Sequence, residues 1–149
     1  MRIRIVAEGR QAPAASFAAA ISASSISDAR LAAGRWLMFA CGPVEAAVTN
    51  KSMGFVVPDE RRATAGYGCL EDTLNALETA VTGKTYIVGD KFSAADVYVG
   101  AQIGWGMMFG SIEKRPAFEA YWAGISQRPA AKRASEIDDA LIAAAKENA

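Results

Sequence analysis

The chain has 149 residues, which is room for one ordinary domain, and 52% of them are hydrophobic, which is enough to form a core. It carries 16 acidic and 16 basic residues, so its formal net charge is zero and nothing indicates nucleic-acid binding. The sequence lacks histidine, which excludes zinc sites and catalytic triads built on imidazole. Its two cysteines, Cys41 and Cys69, form no paired motif, which argues against a disulfide framework and favours a reducing compartment, the cytoplasm.

The first 28 residues differ from the rest of the chain in composition. Three arginines precede an Ala/Ser-rich stretch over residues 12–27. This composition predicts a poorly ordered or atypical N-terminal arm over residues 1–28, and a helical domain over residues 29–149. A cleaved targeting leader is the less favoured alternative, because Glu8 and the weak hydrophobicity of the stretch argue against secretion.

Two amphipathic helices follow the arm. The first is predicted over Ala29–Met53, with a bend at Pro43, which removes one backbone donor and crowds the preceding turn. Its apolar stripe consists of Leu37, Cys41, Val44 and Val48. The second is predicted to begin near Asp59 and to end before Gly83. Its stripe consists of Tyr67, Leu70, Leu74, Leu77 and Val81.

The third helix has the strongest start signal in the chain. Ser93 is predicted as its N-cap, and Asp96 follows at the spacing of a capping box. Phe92 and Val97 occupy the two positions of a hydrophobic staple. Every residue from Val97 to Ile112 is uncharged, so we expect other helices to surround this one. The uncharged run is too short and too rich in glycine to span a bilayer.

Two more helices complete the predicted fold. The fourth begins at Pro116, a favoured first-turn residue, and is predicted to bury Phe118, Tyr121, Trp122 and Ile125. Between the third and fourth helices, Glu113–Arg115 is predicted as a solvated loop. Pro129 opens a short segment to Ala134, and the last helix, from Glu136 to about Lys146, is predicted to bury Ile137, Leu141 and Ile142. The fold class is therefore all-α, a helical bundle around a central buried helix.

Two motifs carry a resemblance to a known family. The run from Val88 to Val97, with Gly89-Asp90, Ser93 and Asp96, resembles the segment that opens the central helix of the C-terminal domain in cytosolic glutathione transferases. The second motif follows in register and consists of Arg115-Pro116-Ala117-Phe118, Tyr121 and Arg128-Pro129-Ala130. The resemblance covers about Ala29 to Ala145 and implies the fold of that helical domain.

The same resemblance implies what a complete family member would contain. Such a protein begins with a thioredoxin-like domain that binds glutathione and supplies the Ser, Tyr or Cys that stabilises its thiolate. Residues 1–28 show no βαβ pattern of that kind. We therefore expect the C-terminal half of a transferase, with no catalytic residue and no cofactor of its own, glutathione being the co-substrate of an intact relative.

The candidate site residues fall into two groups. The resemblance places Phe39, Pro43, Trp105 and Met108 near the electrophile pocket, although ordinary core positions are the favoured interpretation of all four. The four residues of the cap, Phe92, Ser93, Asp96 and Val97, are interpreted as structural rather than catalytic. Cys41 and Cys69 are interpreted as inert small hydrophobic residues because both fall within predicted helices.

Two functions remain open at this stage. The first is the hydrophobic-substrate half of a glutathione-conjugating enzyme, inactive alone. The second is a non-catalytic interaction module of the same superfamily. In either case we expect a homodimer or another protein partner at the exposed face of the first and third helices. We expect no nucleic acid, membrane or metal ion among the partners.

Overall fold

A computed structural model describes residues 28–147 of the protein, and within this range the chain forms α-helices and no β-strand. The six α-helices are α1 (Asp28–Phe39), α2 (Glu45–Ser52), α3 (Leu70–Val81), α4 (Ala94–Phe109), α5 (Pro116–Ser126) and α6 (Pro129–Glu147). The prediction of an all-α bundle is confirmed. Apart from Asp28, which begins α1, the predicted N-terminal arm lies outside the described residues.

The helices α1 and α2 form one long rod that is interrupted at Pro43. A π-helical turn over Ala40–Val44 joins them, and its wider hydrogen-bonding pattern accommodates the proline ring and the missing donor. The sequence predicts a bend at this proline, and the structure has a π-helical turn there. Cys41, which the sequence places in the apolar stripe, is exposed, because the inward face of the turn is formed by Ala40 and Val44.

The helix α3 begins eleven residues later than predicted. Residues 59–64 form a 3₁₀ turn instead, and Gly66 and Gly68 then take positive φ values of 69° and 72°, which a continuous helix does not allow. Cys69 is therefore the N-cap of α3 and not a mid-helix residue, and its Sγ accepts a hydrogen bond from the Asp72 amide at 3.4 Å. The rest of the predicted stripe is buried at Leu74, Leu77 and Val81.

The helix α4 is the centre of the bundle, and three of its glycines allow close approach. A Cβ atom at Gly104 would lie 2.6 Å from the Trp122 ring of α5, and one at Gly106 would lie 2.5 Å from Ile112. Gly100 faces Ile125 in the same way at 3.0 Å. The helix ends at Gly110, which takes the left-handed conformation with φ of 74°.

The C-terminal part of the chain differs from the prediction in one respect. α5 begins at Pro116 and buries Phe118, Tyr121 and Ile125 as expected. α6, however, is one continuous helix, because Pro129 lies in its first turn, where the missing N–H costs nothing. The prediction that this helix buries its apolar stripe is wrong, since its large apolar residues are more than half exposed, namely Ile137, Leu141 and Ile142.

In the loop between α4 and α5, Glu113 and Lys114 are exposed as predicted, whereas Arg115 is not solvated and holds the loop in place. The Arg115 side chain is only 14% exposed. It donates to Glu78 Oε2 and to Asn75 Oδ1, both on α3, at 2.8 Å, and it also pairs with Glu113. The guanidinium group thus fixes the beginning of α5 against α3.

We expect Gly104→Ala to destabilise the fold by about 1–3 kcal/mol, because the new methyl group would overlap the Trp122 ring. The matched control is Gly124→Ala on α5, where no atom lies within 4 Å of the new Cβ. That variant should gain about 0.5–1 kcal/mol from helix propensity. Urea unfolding measures both, and a Gly104→Ala variant as stable as Gly124→Ala would contradict the close packing.

Candidate functional site

The side chain of Asp96 is fully buried, and four donors surround its carboxylate. The Ile87 amide and the Tyr121 hydroxyl donate to Oδ1, each at 2.7 Å. The Ser93 amide and the Ser93 hydroxyl donate to Oδ2, at 2.7 and 2.8 Å. Ser93 and Asp96 form the capping box of α4. Because all these donors belong to the fold itself, the geometry makes the carboxylate a structural junction rather than a group open to a substrate.

Tyr121 is held in its neutral form by this junction. Burial raises the pKa of the Tyr121 phenol above its ordinary value, and the hydrogen bond to Asp96 raises it further. The two remaining residues of the predicted cap lie apart from the network. Phe92 packs on Arg128 and on the Tyr86 ring, while Val97 is more than half exposed.

One side of α4 is apolar and open, contrary to the expectation that helices surround it completely. The apolar residues of this side are Val97, Tyr98, Ala101, Trp105, Met108 and Phe109, and the polar Gln102 lies among them beside Tyr98. Trp105, Met108 and Phe109 are 61%, 66% and 76% exposed. Asp96, the charged residue of α4, lies on the buried side. We call this side the open face of α4.

The four residues predicted to line a substrate pocket do not meet in one cavity. Phe39 and Pro43 are half-buried at the π turn, where Phe39 makes an edge-to-face contact with Trp36. Trp105 and Met108 lie on the open face. A groove of about 320 Å³ between α4, α5 and α6 is lined by Trp105 and by none of the other three.

The rod formed by α1 and α2 borders the open face on one side. Tyr98 on α4 donates a hydrogen bond to Glu45 Oε2 at 3.2 Å, which places the beginning of α4 beside the π turn. This hydrogen bond raises the pKa of Tyr98 from its ordinary value. On α1, the side chains of Leu31 and Met38 are also exposed.

The groove borders the open face on the other side. Val97, Ala101 and Trp105 form its α4 wall, and Trp122 and Ile125 of α5 also line it. Arg128 lies where α5 turns into α6, with its Cζ 3.6 Å from the centre of the Phe92 ring. Sequence reasoning missed this groove, because a helix that is apolar on every side is expected to be buried, and the spacing of Val97, Ala101 and Trp105 does not show which stripe stays exposed.

Two further observations concern residues 28–147 only. No three histidine, cysteine or acidic side chains lie close enough together in this part of the chain to hold a metal ion. None of the helices described has both the length and the apolar character needed to cross a membrane.

The sequence comparison agrees with the fold. The family model for the glutathione S-transferase C-terminal domain matches residues 47–129, more than half of the chain. The chain therefore belongs to this family. The bundle around α4 and its capping box indicate the same class of protein. No curated protein and no solved structure gives a significant match.

The protonated state of Tyr121 gives a test at alkaline pH. An unfolded tyrosine ionises near pH 10, whereas Tyr121 keeps its proton in the folded chain. The stability that the buried Tyr121 phenol contributes is therefore complete below about pH 10 and is lost as the pH rises further. We expect Tyr121→Phe to lose less stability than the unmodified chain between pH 9 and pH 11. Equal pH dependence of the two unfolding free energies would contradict a buried, neutral Tyr121.

Proposed function

We propose that this chain supplies the hydrophobic-substrate half of a glutathione-transferase site, and that it needs a glutathione-binding domain packed against the open face of α4 to act. The observation that carries the proposal is the open face itself. Trp105, Met108 and Phe109 expose most of their surface on a helix whose charged residue is buried on the opposite side. Contiguous exposed apolar surface of this kind marks an interaction site.

The size of these side chains supports an interface rather than a chance exposure. Burying a side chain as large as Phe109 or Met108 stabilises an assembly by about 1.5–3 kcal/mol relative to leaving it in water. Several such residues in one stripe therefore favour a domain-sized partner. The apolar side chains of Leu31 and Met38 on α1 would widen the contact.

In such an assembly the chain would bind the electrophile and exclude water from it. Trp105 and Met108 would offer apolar contacts to the electrophile. The half-buried side chains of Phe39 and Pro43 would stabilise the π turn beside them. The thiol of glutathione would attack the electrophilic carbon as a thiolate, which requires a group that stabilises the negative charge on sulfur. Tyr98 is poorly suited to this task, because its hydroxyl hydrogen is engaged with Glu45.

We expect the purified chain to give no conjugation of glutathione with 1-chloro-2,4-dinitrobenzene above the buffer rate, and to flow through a glutathione resin. The physical reason is that the proposal assigns thiol binding and activation to the partner domain. Absorbance of the conjugate measures the rate, and an intact transferase serves as the positive control. Turnover by the chain alone would overturn the proposal.

A non-catalytic interaction module is the second candidate, and α6 favours it. Beyond Lys132 every residue described on this helix is exposed, although Ile137 and Leu141 lie on one side of it. A helical arm that extends from the bundle in this way is suited to binding another protein. Chain that associates through α6 and stays inactive after a glutathione-binding domain is added would favour this candidate over the first.

A further inference from the structure

The groove between α4, α5 and α6 combines an apolar body with one cationic end. Its apolar part is formed by Val97, Ala101, Trp105 and Trp122, and its volume is about 320 Å³, within the range of small-molecule sites. Trp105 is 61% exposed, so its indole ring remains available for contact. The polar groups that converge on the groove include Arg128, Ser126 and Ser135.

Arg128 is the cation that lines this groove, and its charge is not neutralised within the described part of the chain. Its guanidinium group is stacked on Phe92, with Cζ 3.6 Å from the ring centre, and its Nη1 donates to the Tyr86 hydroxyl at 3.2 Å. Over residues 28–147 no carboxylate oxygen lies within 4.0 Å of it. The two aromatic rings hold the group in place and leave other N–H donors free for an anion.

Asp138 also lines the groove, but at a distance along α6. It lies ten residues after Arg128, which corresponds to about 15 Å of helix. This separation of the two backbones exceeds the Debye length of about 8 Å at physiological ionic strength, so we expect Asp138 to oppose an anion at Arg128 less than a neighbouring carboxylate would. The groove is therefore positive at the α5–α6 corner and apolar toward Trp105.

We propose that this groove binds a small organic anion with an aromatic body, whose carboxylate pairs with Arg128 and whose ring packs between Trp105 and Trp122. The test of this proposal needs neither glutathione nor a partner domain, although Trp105 is shared with the site proposed above. A charge-assisted contact with the planar guanidinium would fix the orientation, and burial of the ring would supply most of the affinity.

Calorimetric titration of the full chain with 2-naphthoate and with 2-naphthamide tests this, because the two probes differ mainly in charge. We expect the carboxylate to bind at least tenfold more tightly than the amide. Arg128→Gln should reduce this ratio to less than threefold, because the amide side chain cannot pair with the anion. Trp105→Ala should weaken both probes alike, because it removes the ring contact that they share.

Two controls separate the charge of Arg128 from its structural role. Arg128→Lys keeps the charge and should keep at least half of the carboxylate preference, and Asp138→Asn should change it less than twofold. Thermal unfolding followed by circular dichroism establishes that each variant is folded. Equal affinity for both probes in the unmodified chain would overturn the proposal. A preference for the carboxylate that survives Arg128→Gln would also overturn it. The same holds if neither probe binds because a second copy or another part of the chain fills the groove.

Discussion

The buried carboxylate of Asp96 is the constraint on which the arrangement of this domain depends. Desolvating a carboxylate costs several kcal/mol unless its oxygens are paired, and here each oxygen accepts two hydrogen bonds. The donors come from the α3–α4 loop at Ile87, from the N-cap Ser93 and from Tyr121 on α5. The condition that Asp96 be fully paired therefore fixes where α4 begins, how the preceding loop returns to it and where α5 crosses it.

This junction, together with the glycines, gives α4 two different sides. Gly104 and Gly106 bring Trp122 and Ile112 against the helix on the inner side, which leaves no room for a further layer there. On the outer side, the apolar side chains of α4 are not covered by another helix of the described chain. The same helix is therefore the core of this bundle and the surface that a partner would cover. The same outer side also forms one wall of the groove that ends at Arg128, so one helix serves both candidate interactions.

The sequence predicted the features that depend on neighbouring residues. The cap at Ser93 and Asp96, the start of α5 at Pro116 and the interruption of the first helix at Pro43 are local effects of side-chain hydrogen bonding and proline geometry, and the structure has all three. It did not predict which apolar faces remain uncovered, because periodicity indicates that a face is apolar but not what lies opposite it. The exposure of Ile137 and Trp105 and the pairing of Arg115 with Glu78 depend on tertiary contacts between distant segments, which one sequence does not specify.

A double-mutant cycle between Asp96→Asn and Tyr121→Phe tests the central claim most directly. If Asp96 joins α4 to α5 through the Tyr121 hydroxyl, urea unfolding of the two single variants and the double variant should give a coupling free energy of about 1–3 kcal/mol. The second variant leaves the aromatic ring in place and removes only the hydroxyl, which is one of the two donors to Oδ1. Additive effects, with a coupling close to zero, would contradict the account, because the two helices would then be held together by apolar packing alone.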